Sequence, residues 1–307
     1  MEVGASETGP HCGSFRVGAV SGRSQVLRNY QLQYSPLRVV ALPSGDTSTL
    51  APWDADLNSS LAGQARAVSC VLAAPDGRRL FICHRAAVRA VDLVTAAVTT
   101  VAGSPGSGPT MLDGPCATAR FAGPEALALA PDGGTLYIID ALPVNQYFAV
   151  RAIAFDGGIG GGAGCQVRTL VSDRGKVVGA VLADGPAAEA TLGDIWSLAV
   201  PPGGLFVYAI SYTYACVRAI STATGYVTTY TGRCSLTSAG DTVGAALAAR
   251  YSVPENILMA RGGLYIHDKG NRKVNHSPDV SILCNLFLFL TISLIPKCVW
   301  LRHRKLT

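Results

Sequence analysis

The stretch ARFAGPEALALAPDGGTLYIID, residues 119–140, places two short apolar runs either side of a Pro-Asp-Gly-Gly turn, and the chain writes this pattern repeatedly. Its copies are AVSCVLAAPDGRRLFICH (67–84), WSLAVPPGGLFVYAIS (196–211) and NILMARGGLYIHD (256–268). The turn prolines Pro75 and Pro131 are 56 residues apart, and Pro131 and Pro201 are 70 apart. A third run follows each copy: AAVRAVDLVTA, FAVRAIAFDGG, ACVRAISTATG and, cut short, NRKV. A fourth comes after it: AVTTVAG (97–103), QVRTLVS (166–172) and YVTTYTG (226–232). Four short strands joined by turn-forming residues describe one antiparallel meander per unit.

One such sheet cannot bury both of its faces. Stacking copies around an axis lets each sheet cover the next, which is how a β-propeller is built. The runs LALA and LYII are almost wholly apolar, as strands covered on both sides require. No segment keeps the i, i+3, i+4 spacing over ten or more residues, which excludes a helical solenoid. The expected fold class is all-β, and the repeat is a folding device before it is anything else.

The blocks DGPCATARFAGPEALALAPDGGTLYIID, LYIHDKGNRKV, VTTVAG and DGPAAEATLGD resemble the NHL repeat over residues 37–274. The third copy departs from the pattern, because AISYTYA replaces the usual Asp-containing turn. The resemblance implies an NHL-type β-propeller, a fold whose members mostly act as binding platforms. Three complete units, a truncated fourth and a leading fragment, LRVVALPSGDTSTLA (37–51), amount to an incomplete propeller of about four to five blades. Residues 1–36 read as an irregular segment or as degenerate blade strands.

The composition changes after Val274. VSILCNLFLFLTISLIP (280–296) holds one Asn and no charge, and a basic end follows. Counted from Val280 to Leu301, this is long enough for a transmembrane helix. It is the expected C-terminal hydrophobic helix of a third segment, 275–307, and it makes a membrane a candidate partner. A buried blade strand is the weaker alternative, since blade strands seldom exceed ten residues. A misread coding boundary is another, and it would leave the tail without a membrane role. The expected location is a single-pass membrane protein, otherwise the cytoplasm. Asn58, in NSS, would matter as a glycan acceptor only in an exported chain.

Charge argues against nucleic acid. Residues 67–255 carry 12 Lys and Arg against 13 Asp and Glu, while the last 52 residues hold eight basic and two acidic. The surplus therefore sits at the C-terminus, whereas a nucleic-acid footprint would be expected on the folded body.

Few residues suggest chemistry. GGIGGGAG (157–164) leads into a strand rather than a helix, so it reads as a flexible insertion and not as a phosphate loop. The five histidines do not share one repeated position, no CxxC pair occurs, and no metal or cofactor is expected. Asp140 and Asp268 close the second strand, where a carboxylate can accept hydrogen bonds from the following turn. Arg89, Arg151 and Arg218 recur with the third strand, either as structural ion pairs or lining a binding face. Cys70 and Cys83 face each other across the first hairpin. In a cytosolic chain they read as two buried thiols, with a cross-strand disulfide as the alternative. The leading function is a non-catalytic scaffold for a protein partner, tethered through its C-terminus. The alternatives are a propeller hydrolase or lyase with a channel metal, and RNA binding through a propeller face.

Overall fold

The computed structural model describes residues 38–40, 47–49, 69–142, 147–156, 164–179, 181–260 and 263–277. Within them the chain is all-β: a four-bladed propeller preceded by a short hairpin, with one 3-10 turn at Ala246–Ala248. The hairpin pairs β1 (Arg38–Val40) with β2 (Thr47–Thr49) inside the 37–51 fragment. The segment Val280–Leu301 lies outside the described residues. Among those that are described, no helix is long and apolar enough to cross a membrane.

Blade one comprises β3 (Cys70–Ala73), β4 (Arg79–His84), β5 (Ala87–Asp92) and β6 (Val98–Gly103). Blade two begins with β7 (Gly114–Pro115), which pairs onto the outer edge, and continues with β8 (Pro124–Leu129), β9 (Thr135–Leu142), β10 (Tyr147–Ala154) and β11 (Gln166–Ser172). Blade three is β12 (Ile195–Ala199), β13 (Phe206–Ser211), β14 (Cys216–Ser221) and β15 (Val227–Gly232). Blade four is β16 (Pro254–Ala260), β17 (Gly263–Asp268) and β18 (Lys273–Ser277). Every pairing is antiparallel between neighbours in sequence, apart from β7 on β11.

The turn chemistry behaves as its residues dictate. In the second hairpin Gly133 N–H donates to Ala130 O and Gly134 N–H to Asp132 Oδ1, with Gly133 at φ +72°. That left-handed backbone strains any residue with a Cβ, which explains the glycine.

Packing between blades makes the core. The innermost strands lie against one another in order, β3 on β8, β8 on β12 and β12 on β16. Blades one and two enclose Phe81, Phe121, Leu136, Ile138 and Ile153. Blades two and three enclose Tyr137, Ile139, Val150, Leu192, Ile195 and Ile220. Blades three and four enclose Tyr208, Ile210, Val217, Tyr251, Leu264 and Ile266. Alternate residues of β9 thus point into different seams, Leu136 and Ile138 to one side and Tyr137 and Ile139 to the other. A strand with two covered faces is therefore almost wholly apolar, and a polar residue on it must be bonded where it sits. Each such side chain contributes about 1.5–3 kcal/mol by burial.

Candidate functional site

Two sets of positions emerge when the blades are superposed by strand register. One set repeats and builds the frame; the other varies and is displayed by it.

The frame centres on the arginines. In blade two Arg151 is fully buried. It donates to Asp140 Oδ2 (2.8 Å), Asp113 Oδ1 (2.7 Å), and the carbonyls of Leu112 (2.8 Å) and Arg120 (2.6 Å). Asp113 also accepts from Thr169 N (2.8 Å) and Thr169 Oγ1 (3.0 Å). Blade three repeats this latch. Arg218 donates to Asp184, Thr229 Oγ1 (2.6 Å), Ala183 O (2.5 Å) and Thr191 O (3.1 Å), and Asp184 accepts from Thr229 N (2.9 Å) and Oγ1 (3.0 Å). Burial lowers the Arg218 pKa from the usual arginine value, against the pull of Asp184. A register shift beside each arginine, at Val88/Arg89, Val150/Arg151 and Val217/Arg218, marks a β-bulge on the outer strand. Arg89 is 4% exposed. The three arginines are therefore interior groups, and none lines an open face.

In blade four both halves of the latch are replaced. Val243 stands where Asp113 and Asp184 stand, and Asn275 where the arginine would be. Losing both partners together avoids leaving a buried charge alone.

The strand-end carboxylates hold the loops leading to the innermost strands. Asp140 accepts from the N–H groups of Ala122 (2.9 Å) and Gly123 (2.8 Å), and Asp268 from that of Ser252 (2.7 Å). These donors precede β8 and β16 in the chain, so the expected bonds to the turn after the carboxylate are corrected. The reason is the propeller: the preceding loop comes back over the end of the second strand. Asp268 does reach forward, but to the side chains of Asn271 (2.8 Å) and Asn275 (3.2 Å). Burial raises the Asp140 pKa, opposed by Gly123 N–H and Arg151.

Blade three solves the same problem differently. Ser211 occupies the place of Asp140, and Asp173 from the end of blade two's outer strand accepts from Leu192 N (2.8 Å) and Gly193 N (3.0 Å). Desolvation pushes Asp173 up to about 6. Asp194 accepts from Ser211 Oγ (3.1 Å), Thr213 N (3.0 Å) and Thr213 Oγ1, and burial raises its pKa.

The varying set sits where these loops deliver the innermost strands. Register shifts at Pro124/Ala126, Ile195/Ser197 and Pro254/Asn256 leave Glu125, Trp196 and Glu255 as the extra residues of three equivalent bulges. A bulge re-aims the side chain it carries. In blades three and four it meets the residue that follows the second strand of its own blade. Trp196 stacks on Tyr212, with ring centroids 4.4 Å apart at 17°. Glu255 pairs with Lys269 at 2.5 Å. In blade two the corresponding residue is Ala141, which supplies no polar group. Blades are tied together beside these bulges, by Ser69 Oγ to Pro124 O (2.7 Å) and Ile257 N to Ser197 Oγ (3.3 Å).

The three bulges share one end of the blades and offer an aromatic stack, carboxylates and an ammonium, which suits recognition by contact area and hydrogen bonding. Among the described residues no group of three or more His, Cys, Asp or Glu could hold a metal ion. Sequence reasoning found Asp140, Asp268 and the arginines but missed Asp113, Asp173, Asp184, Trp196 and Glu255. The recurrent Asp-Gly-Pro at 113–115 and 184–186 could have flagged two of them.

Cysteine pairing also departs from expectation. Cys70 and Cys83 are joined by a disulfide rather than standing as two buried thiols, with their Cα atoms 5.0 Å apart. Directly opposed strand positions hold the sulfurs within bonding reach. Cys116–Cys165 and Cys216–Cys234 are joined as well. The glycine-rich segment 157–163 lies outside the described residues.

No family model and no curated protein matches the chain. Solved structures do. An auxiliary nutrient binding protein from Bacteroides thetaiotaomicron is 16% identical, with a TM-score of 0.44 over 78% of this chain and 64% of that one. A nidogen/laminin complex structure is 12% identical, with a TM-score of 0.48 over 80% and 68%. The β-propeller domain of Cps50 (Swd1) from Myceliophteria thermophila is 10% identical, with a TM-score of 0.41 over 69% and 53%. The chain thus spans 64% of the nutrient binding protein's length. At these identities and TM-scores none of the likenesses bears on ligand or activity.

Proposed function

We propose that the chain is an NHL-type propeller acting as a non-catalytic platform, and that it engages a protein partner through the mouth formed by Glu125, Trp196, Tyr212, Glu255 and Lys269. The observation that supports this reading is the division of positions within one repeat. The arginine latch recurs in blades two and three, whereas the bulge and the position facing it change from Glu/Ala to Trp/Tyr to Glu/Lys across blades two to four. A frame that repeats around a surface that varies is the usual arrangement of a binding scaffold. Aromatic anchors flanked by charge are also where binding energy concentrates.

The test compares capture of interacting proteins by the wild type and by a Trp196→Ala/Glu255→Ala double variant, with far-UV circular dichroism as the check on folding. A specific partner should be lost from a folded variant. Partners that bind both proteins equally would overturn the assignment of the mouth. Tethering through residues 280–301 is a separate proposal, supported by the apolarity of that segment alone. Extraction of the chain from membranes by carbonate would reject it.

A further inference from the structure

We infer that the blades are built for an oxidising compartment, with one structural disulfide stapling each of the first three, so that the platform meets its partner outside the cytosol. The last clause rests on the platform reading; the staples do not.

The observation is a coincidence of pairing within the repeat. Six cysteines lie among the described residues, and all six are bonded, as Cys70–Cys83, Cys116–Cys165 and Cys216–Cys234. Each bond occupies a different place in the blade. The first joins β3 to β4, the second joins the Asp-Gly-Pro loop to the start of β11, and the third joins β14 to the segment after β15. They are therefore not one repeated feature copied with the unit.

The equivalent positions elsewhere sharpen the point. Where blade one has Cys70 and Cys83, the later blades have Ala126 and Ile139, Ser197 and Ile210, and Asn256 and His267. Where blade two has Cys116 and Cys165, blade three has Ala187 and Gly225. A Cβ added at Gly225 would lie 3.0 Å from the Ala187 Cβ, so the two sites face each other closely with or without sulfur. Where blade three has Cys216 and Cys234, blade two has Ala149 and Arg174. At each place both residues are cysteine or neither is. Cysteines retained as small apolar fillers would turn up singly at such positions. Appearance only as complete, opposed pairs is what a cross-link demands.

Burial agrees. Cys83, Cys165, Cys216 and Cys234 are nearly inaccessible. Metal binding does not account for them, since no group of three or more candidate ligands gathers among the described residues. Disulfides of this kind persist in secreted, lumenal or periplasmic proteins and are rare in a reducing cytosol. If residues 280–301 span a bilayer, Arg302, Arg304 and Lys305 favour the same orientation, with the blades on the far side.

The experiment takes the full chain from its own cells, quenched with N-ethylmaleimide under denaturing conditions before any reduction, and maps every cysteine by mass spectrometry with and without reductant. The expected result is modification of the six named cysteines only after reduction, with linked peptides 70–83, 116–165 and 216–234. Free thiols at these six positions overturn the inference, and so does linkage in any other pattern. Capture of a partner does not enter the readout, so failure here leaves the platform reading standing and its failure leaves the staples standing.

Discussion

Arg151 and Arg218 occupy the same register, but one has two carboxylates and the other has one. Arg151 bonds to Asp113 and to the fully buried Asp140, whereas Ser211 replaces the second acid in blade three and leaves Arg218 with Asp184. Replacing Asp184 with Ala leaves the buried guanidinium its neutral acceptors but no bonded carboxylate, and breaking a buried pair in this way destabilises by about 3–5 kcal/mol. Asp184 is 47% exposed, so water reaches the vacated side and places the effect near 3 kcal/mol. Replacing Asp113, itself 45% exposed, leaves Arg151 its bond to Asp140 and should destabilise by only about 1 kcal/mol. The two variants remove the same side chain from equivalent loops, so each controls for the other. Urea unfolding followed by intrinsic fluorescence and far-UV circular dichroism measures the difference. The Asp184→Ala midpoint should fall well below that of Asp113→Ala with unchanged slope, corresponding to roughly a tenfold or greater gap in unfolding constant. Equal losses, or a larger loss for Asp113→Ala, would refute the claim that the number of carboxylates decides the stability of each latch.

Asp173 should give the fold a distinctive pH dependence. Its native value of about 6 lies above the ordinary 3.8, so the native state binds the extra proton between those values. Its contribution is therefore greatest below pH 4 and is lost as pH rises through 6, by up to roughly 3 kcal/mol. Asp173→Asn should flatten that part of the stability profile, which urea midpoints measured from pH 4 to 7 would show. Removing Cys116–Cys165 by double Cys→Ser substitution should destabilise by about 4 kcal/mol, and removing Cys216–Cys234 by about 3, because the closed loops span 49 and 18 residues. Thermal unfolding of the oxidised variants would detect both, and no shift in either would contradict the staple role. Gly225→Ala should destabilise by more than about 1 kcal/mol, since φ is +72° and the added Cβ would lie 2.2 Å from Leu170 O. Proteolysis rates in native buffer would register the loosened contact between blades two and three.

How much of this was legible in the sequence differs from one residue class to another. Strand number, turn positions and the apolar character of LALA and LYII follow from local rules, because a period of two and a Pro-Asp-Gly-Gly turn act over a few residues. The recurrence of those units also dictated stacking, since no single meander could cover its own faces. The arginines could be found by repetition, but their neighbours Asp113 and Asp184 lie 38 and 34 residues away in the chain. The recurrent Asp-Gly-Pro marks those two loops, but nothing local says which arginine each aspartate meets. Asp173 was harder still, because it serves a blade to which its own strand does not belong. The displayed residues were invisible for a different reason: Glu125, Trp196 and Glu255 are set by bulges, and a bulge appears only when one strand is laid against another. Cysteine pairing shows both sides of this. The arithmetic of one hairpin placed Cys70 opposite Cys83, whereas Cys116 met Cys165 only once the outer strand of blade two had folded back against its own loop. Contacts within a unit are written in the chain, and contacts that depend on how the loops close and the units face one another belong to the tertiary structure.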